Sequence, residues 1–115
     1  MSVKLSERDV TAAVKGWLEA KGWYAIRLQS GLVRGNTQGT FMRLGENGLA
    51  DWVFLKKWAG FPLGLLVEMK ATGKKPGPHQ VAFEAKMRRM GLTVIWADSL
   101  EMFIEKYEQF WKGLR

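Results

Sequence analysis

Charged side chains stand next to apolar segments of this chain, in places where a buried strand has no structural need for them. Asp51 leads directly into the apolar segment 52–55. Glu68 and Lys70 end a second apolar segment, 63–67. Apolar runs of this length, bounded by glycine and proline, are typical of buried strands. Because a buried charge is costly unless it is paired or bound to a metal, the pattern predicts a divalent-cation site.

The spacing of these residues favours one shared site. Side chains two residues apart on a strand share a face, so Glu68 and Lys70 should point the same way. If the strand after Asp51 pairs with the strand ending at Glu68, the two carboxylates meet. Two carboxylates with a backbone carbonyl and waters form the hard oxygen site that Mg²⁺ or Mn²⁺ prefers. Such a metal lowers the pKa of a bound water, and Lys70 can orient that water, which suits phosphodiester hydrolysis.

Two further polar residues are expected to approach this site. Glu7 stands at helical spacing from Val10, Val14 and Trp17, so it is expected to extend the buried stripe of the first helix. A carboxylate there would reach the metal directly or through water. Gln80 is expected in the first turn of the second helix, where its amide can position a water, a carboxylate or a phosphate oxygen.

The elements that must position these residues are predicted from periodicity, caps and turn signals. The predicted helices run from a Ser6 cap to Gly22, from His79 to Met90, and from a Ser99 cap to Lys112. The predicted strands are 23–29, 51–55, 63–70 and 92–97, with a long loop or loose hairpin at 30–47 and a turn at 56–62. This order predicts one α/β domain over residues 1–115, with a mixed sheet flanked by helices.

Composition limits the function classes. The chain has 115 residues, no cysteine and a net charge of +7, so disulfides and thiolate metal sites are excluded. No apolar run approaches the roughly 20 residues of a membrane span, and the N-terminus lacks the apolar core of a signal peptide, which favours the cytoplasm. The positive charge favours a polyanionic partner, nucleic acid first and anionic membrane second.

Basic side chains in the two loops nearest the predicted site are candidates for phosphate contacts. These candidates are Arg34, Arg43, Lys74 and Lys75. The run at 86–89 has the usual composition of a solvated helix face. Phe103, Phe110 and Trp111 exceed what a small terminal helix must bury, so they are candidates for a dimer interface.

Taken together in this order, the polar residues are similar to a known nuclease signature. The pattern Glu7, Gly48-x-x-Asp51, Glu68-x-Lys70 and Gln80 resembles the VRR-NUC family of the PD-(D/E)xK nuclease superfamily. The segment Pro76-Gly77-Pro78-His79-Gln80 also resembles the family's Pro-rich start of the helix that carries the glutamine. The resemblance covers nearly the whole chain, to about Trp96. It implies a restriction-endonuclease-like αβββαβ core, here with an extra C-terminal helix.

The resemblance also implies an activity and roles for single residues. It implies a metal-dependent DNA endonuclease in which Asp51, Glu68 and the Met69 carbonyl bind Mg²⁺ or Mn²⁺. Lys70 would act on the attacking water. Glu7 and Gln80 would complete the surroundings of the metal, with Glu7 reaching it directly or through water.

The same resemblance suggests a substrate, an assembly and a cellular setting. Small stand-alone members look like Holliday-junction resolvases that act on branched double-stranded DNA as homodimers. Two sites related by a two-fold axis suit symmetric cleavage of a four-way junction. A cytoplasmic protein of bacterial or phage origin is expected, with repair, recombination, restriction and phage genome processing all open as pathways.

Two other functions remain open from the sequence. One is a non-catalytic nucleic-acid-binding module that keeps the nuclease fold. The other is an interaction protein that uses its aromatic C-terminal helix as the functional surface. Singly, Asp51 is a common turn residue and Glu68 with Lys70 suits a solvated strand end, so the catalytic interpretation depends on the joint order and spacing.

Overall fold

The chain forms a mixed α/β structure with a four-stranded sheet flanked by helices. The computed structural model describes residues 3–28, 31–34, 41–44 and 50–114, the two short middle ranges by backbone alone. Its elements are α1 (Glu7–Ala20), β1 (Tyr24–Arg27), β2 (Gly31–Arg34), β3 (Phe41–Leu44), β4 (Trp52–Trp58), β5 (Phe61–Met69), α2 (Pro78–Arg89), β6 (Thr93–Ala97) and α3 (Leu100–Leu114). This confirms the predicted class.

The sheet has the strand order β1–β4–β5–β6. The pairs β1–β4 and β4–β5 are antiparallel, and the pair β5–β6 is parallel. The parallel step is made possible by α2, which carries the chain from the end of β5 back to the start of β6. No helix of the described residues is long and apolar enough to cross a membrane.

The helix ends follow the local sequence as predicted. The Ser6 hydroxyl accepts a hydrogen bond from the Asp9 amide at 3.1 Å, which caps α1. Gly22 ends the helix with φ of +92°, a conformation that glycine adopts without steric cost. Ser99 caps α3 in the same way, because its hydroxyl accepts from the Met102 amide at 3.1 Å. These caps fix where each helix meets the sheet.

The chain turns within the predicted range 56–62, but the turn is shorter than predicted. β4 continues to Trp58, β5 begins at Phe61, and these two residues pair across the turn. Ala59 and Gly60 alone make the connection, with φ of 52° and 84°. Two successive residues with positive φ are typical of a type I′ turn, whose twist matches that of the strands. The glycine supplies this conformation, so the strands are longer than their apolar segments suggest.

The segment 30–47 contains a hairpin, which is one of the two alternatives that the sequence left open. β2 and β3 pair antiparallel, from Gly31 opposite Leu44 to Arg34 opposite Phe41. They form a two-stranded sheet of their own, separate from the four-stranded sheet. The other residues of this segment lie outside the described part of the chain.

Alternation along β5 gives the sheet two different faces. Leu65, Val67 and Met69 are fully buried in a large apolar cluster with α1 and α3. Leu66 turns to the opposite face, where it packs against a smaller cluster that contains Phe83 of α2. We call these the α1–α3 face and the α2 face. Most of the apolar core therefore lies on the α1–α3 face.

The aromatic residues of α3 belong to the core of this chain. Phe103 is fully buried, so it is not available to a second chain, and its predicted place at a dimer interface is wrong. Phe110 and Trp111 are half-buried, with ring centroids 6.4 and 6.5 Å from that of Trp23. The apolar face of α3 is broad because three tryptophans from elsewhere in the chain pack on it. The ring centroids of Trp58 and Trp111, for example, are 5.7 Å apart.

Candidate metal centre

Strand register brings the two predicted carboxylates together. Trp52 is opposite Val67 and Val53 is opposite Leu66, so the next position in this register places Asp51 opposite Glu68. Directly opposite residues of an antiparallel pair have Cβ atoms about 4.5–5.5 Å apart. The Asp51 carbonyl accepts a hydrogen bond from the Leu28 amide at 2.7 Å, which holds this residue against the end of β1. The pairing inferred from sequence is therefore present.

One carboxylate oxygen of Glu68 is held by two side chains. Its Oε1 accepts a hydrogen bond from Gln80 Nε2 at 2.6 Å and lies 3.3 Å from Lys70 Nζ. The Gln80 amide has a fixed orientation, because its Oε1 accepts from the Gly77 amide at 2.9 Å. Gly77 is the N-cap of α2, so the start of that helix aims the Nε2 group at Glu68.

The other oxygen of Glu68 is buried without a hydrogen-bond partner among the described residues. Glu68 is only 5% exposed and is the one buried charged residue of that part of the chain. The carboxyl group of Asp51 is near enough to interact with it directly. Two ionised carboxylates are acceptors only, so they need a shared proton or a cation between them. The orphaned oxygen thus points to a missing positive partner.

The pKa values of the pair reflect this arrangement. Burial, reinforced by the negative charge of Asp51, raises the pKa of Glu68 to about 7, although Lys70 opposes the shift. Burial also raises the pKa of Asp51, against the effects of Glu68, Lys70 and Arg27. Without a metal, the two carboxyl groups therefore hold a proton at pH values where free carboxylates are ionised.

The backbone at the end of β5 adds an oxygen on the same side. The Lys70 amide donates to the Ala97 carbonyl of β6 at 2.9 Å. In a trans peptide the carbonyl points opposite to the amide that follows it, and no peptide bond of the described residues is cis. The Met69 carbonyl therefore points away from β6, toward the side of β5 on which Asp51 lies. Two carboxylates and this carbonyl fit a hard divalent cation.

Glu7 is not brought into this group. It lies in the first turn of α1 and is exposed, so the expectation that it extends the buried stripe is wrong. It stands on the same side of the helix as Val14, but the buried positions begin only at Val10. No three histidine, cysteine or acidic side chains of the described residues come together as a metal site.

The start of α1 is nevertheless fastened beside the candidate site. The Leu5 amide donates to the Thr72 hydroxyl at 2.9 Å, and the Thr72 amide donates to the Leu5 carbonyl at 3.0 Å. Thr72 follows Lys70 by two residues. The helix that carries Glu7 is thus anchored next to the segment that leaves the site, although its carboxylate lies in solvent.

The predicted phosphate-binding residues lie on different segments. Lys74 and Lys75 are exposed between Lys70 and α2, close in sequence to the candidate site. Arg34 is the last residue of β2 and Arg43 lies in β3, but their side chains fall outside the described part of the structure. The two lysines therefore border the site, while the placement of the arginines stays a prediction.

Sequence reasoning missed two neighbours of Glu68. Trp96 lies beside Glu68 in the parallel pair β5–β6, which no spacing rule predicts because α2 separates the two strands. Gly77 fixes the Gln80 amide, and its only signal was the segment Pro76-Gly77-Pro78 before the helix. Trp96 and Gln80 line a small pocket against Glu68. The site is thus bordered by an aromatic ring as well as by charged groups.

Comparison with known proteins adds no relative. The chain matches no protein-family model and no curated protein. The functional argument therefore rests on the local chemistry: two opposed carboxylates, an orphaned buried oxygen, an oriented glutamine and a lysine.

Proposed function

We propose that this protein is a Mg²⁺- or Mn²⁺-dependent DNA endonuclease of the restriction-endonuclease-like fold, related to the VRR-NUC family. The observation that carries the proposal is the Asp51–Glu68 pair, in which the buried Glu68 Oε2 has no hydrogen-bond partner among the described residues. A buried carboxylate oxygen without a partner is destabilising, so the protein keeps it for a purpose other than stability. A cation between the two carboxylates supplies that purpose.

The residues of this chain have distinct tasks in the proposed reaction. Asp51, Glu68 and the Met69 carbonyl would hold the metal. When bound, it supplies Lewis-acid polarisation of the phosphoryl oxygen and an acidified water. Gln80 Nε2 donates to Glu68 Oε1 at 2.6 Å, which fixes the orientation of this carboxylate.

Lys70 is the group that acts nearest to the substrate. Its ammonium lies 3.3 Å from Glu68 Oε1 and is largely buried, with 17% of the side chain exposed. A cation in this position orients the attacking water and stabilises the negative charge that develops on the phosphorus oxygens. Lys74 and Lys75, exposed on the following segment, would contact flanking phosphates.

A branched double-stranded DNA, such as a four-way junction, is the substrate that we propose, with a homodimer as the acting form. Two observations support this: the polar pattern resembles that of the VRR-NUC family, and the net charge of the chain is +7. Symmetric cleavage needs two copies of the single Asp51–Glu68 pair. A cytoplasmic protein of bacterial or phage origin is part of the same proposal.

A non-catalytic nucleic-acid-binding module is the second candidate. One observation favours it: only two carboxylates meet at the site, and no third acidic or histidine side chain of the described residues joins them. This module would bind DNA in EDTA as well as in Mg²⁺, and it would leave DNA uncut in both.

The test is cleavage of plasmid and of a synthetic four-way junction by the purified protein. Mg²⁺, Mn²⁺ and EDTA are compared, with Asp51→Asn as the inactive variant and Asp9→Asn as a matched control on an exposed helix turn. We expect metal-dependent cleavage by the wild type and by Asp9→Asn only. Absence of cleavage in either metal, or cleavage that persists in Asp51→Asn, would contradict the proposal.

A further inference from the structure

A groove of about 550 Å³ runs beside β6, between α2 and α3. β6 is the last strand of the sheet, so its outer side has no partner strand among the described residues. We call this cavity the β6 groove; Arg88, the strand residues 93–96, Lys106, Gln109 and Phe110 are among the residues that line it. Apart from Trp96, which also borders Glu68, these side chains have no part in the proposed catalytic site.

The carbonyl groups on the outer side of β6 already have partners. Arg88 Nη2 donates to the Val94 carbonyl at 3.0 Å, and Lys106 Nζ donates to the Trp96 carbonyl at 2.8 Å. A strand that pairs with an edge needs alternating donors and acceptors from it. Basic side chains on an edge are a common protection against such pairing. The β6 groove therefore does not suit an added peptide strand.

The same two contacts place two cations side by side. Val94 and Trp96 are two residues apart on one strand, so the carbonyl groups that hold Arg88 and Lys106 are about 7 Å apart along it. Lys106 Nζ also lies 4.0 Å from the centre of the Trp96 ring, which fixes its position further. Each head group has more N–H donors than these contacts use. The outer side of β6 thus presents a row of donors.

The side chains that line the groove include two cations, Arg88 and Lys106, and one carboxylate. Its one acidic side chain among the lining residues, Glu84, is paired with Arg88 at 2.8 Å. Burial lowers the pKa of Lys106, against the nearby acidic groups Glu84, Asp98 and Glu105. An anion in the groove would offset the cost of holding this ammonium away from water. Phe110 supplies an apolar surface for the uncharged part of a ligand.

The β6 groove adjoins the small pocket beside the candidate metal centre, with which it shares three lining residues. Glu84, Val94 and Trp96 line the groove and also line the small pocket against Glu68 and Gln80. A chain with repeated negative charges that lies in the groove would therefore lead to the Asp51–Glu68 pair. Phosphates need only donors, which is what the outer side of β6 offers, whereas an acidic peptide would also need acceptors for its amides.

We propose that the β6 groove binds the phosphate backbone of the nucleic-acid strand that leads to the Asp51–Glu68 pair. This inference rests on the proposed nuclease function, because it assigns the path of that substrate. It gives Arg88 and Lys106 a role beyond closing the sheet edge. It also argues against a dimer formed through β6, whose acceptors are occupied.

The test measures equilibrium binding of fluorescein-labelled single-stranded and four-way-junction DNA in EDTA, where no cleavage takes place. Arg88→Gln is compared with Arg89→Gln, and Lys106→Gln with Lys112→Gln; each control removes one charge from the same helix outside the groove. We expect each groove variant to weaken binding by about fivefold and to lower the salt slope by about 0.7 for single strands. The controls should stay within about twofold of the wild type.

A second pair of variants keeps the test decisive if the loss of a carbonyl contact disturbs folding. Gln109→Glu adds a negative charge to the groove and Gln109→Ala removes the same side chain without adding charge. We expect about fivefold weaker binding for Gln109→Glu alone.

Three results would overturn the inference. These are equal affinities within each pair, no DNA binding by the wild type, or preferential binding of an acidic peptide that competes with DNA. Binding is measured without metal, and cleavage is measured with metal. If the groove variants bind DNA as their controls do, the groove inference fails, while metal-dependent cleavage by the wild type still tests the proposed function.

Discussion

The two faces of the sheet are built from alternate residues of the same strand and have opposite characters. On the α1–α3 face, Leu65 and Val67 of β5 are fully buried among apolar and aromatic side chains. On the α2 face, Glu68 is just as inaccessible but keeps an oxygen without a hydrogen-bond partner among the described residues. Apolar burial on the α1–α3 face stabilises the fold, whereas burial of the Glu68 carboxylate on the α2 face costs free energy.

The difference shows how a domain of 115 residues can contain a buried charged group that lowers its stability. The large apolar cluster on the α1–α3 face supplies most of the burial that stabilises the fold. The small cluster on the α2 face leaves room at the end of β5 for charged groups. Stability and chemistry are therefore expected to separate when residues of the two faces are changed.

The largest expected effect is loss of cleavage after changes at the α2 face. Glu68→Gln or Asp51→Asn should lower the rate of metal-dependent cleavage by about 10³-fold, since each removes an anionic ligand. The same variants should match or exceed the wild type in thermal stability at pH 7, because a costly buried charge is gone. Junction cleavage rates and thermal unfolding check this. A stability loss that accounts for the lost activity would remove the distinction between the faces.

The next effect is loss of stability after a change at the α1–α3 face. Leu65→Ala should lower the free energy of unfolding by about 2–5 kcal/mol, because it leaves a cavity at a fully buried position. Leu55→Ala, at a position 40% exposed, should change it by less than about 1 kcal/mol. Urea denaturation measures both. The cleavage rate per folded molecule should stay near that of the wild type in both variants. A loss of this rate in Leu65→Ala alone would contradict the separation of stability and chemistry between the two faces.

A smaller effect is expected from the residue that orients Glu68. Gln80→Ala should weaken Mn²⁺ binding by about 10–100-fold, because Glu68 Oε1 loses its partner and the carboxylate is no longer held in one orientation. His79→Ala, at the exposed position just before, serves as the matched control. Calorimetric titration with Mn²⁺ measures the affinities. Equal affinities for the two variants would show that the glutamine does not position the carboxylate.

The smallest effect is a pH dependence of stability. The pKa of Glu68 is raised from 4.5 to about 7, so the folded state holds a proton that the unfolded state releases earlier. The resulting stability is present below about pH 4.5 and is lost as the pH rises toward 7. The unfolding temperature of the wild type relative to Glu68→Gln should fall by about 5 °C between pH 5 and 7.5.

Metal should cancel that loss. Mn²⁺ binds the ionised carboxylates, so it should raise the unfolding temperature more at pH 7.5 than at pH 5 in the wild type. Glu68→Gln should show little response at either pH. Parallel pH profiles for the wild type and Glu68→Gln, with and without Mn²⁺, would contradict a proton shared by the pair.

The sequence predicts the central part of the site because strand alternation and short connections are local. Asp51 and Glu68 meet because the β4–β5 hairpin has a fixed register, which only needed the two strands to pair. The caps at Ser6 and Ser99 follow from single side chains. The shortness of the turn at 59–60 escaped prediction because Ala59 adopts a positive φ that its residue type does not favour.

Features that depend on tertiary contacts were not predictable in the same way. Glu7 has the correct helical phase, yet it is exposed because the buried positions of α1 begin one turn later. Trp96 reaches Glu68 only through a parallel pairing across α2. Arg88 is exposed, as the prediction of a solvated helix face requires, but nothing in its spacing shows that it would donate to a carbonyl of β6.

Anomalous diffraction from a Mn²⁺-soaked crystal tests the central claim most directly. The account predicts a Mn²⁺ peak between Asp51 and Glu68, with Glu68 Oε2 and an Asp51 oxygen at about 2.0–2.6 Å from it. The peak should be absent from Asp51→Asn crystals soaked under the same conditions. A wild-type map without a peak at this position, with Glu68 Oε2 still unpartnered or bonded to another protein group, would contradict the claim.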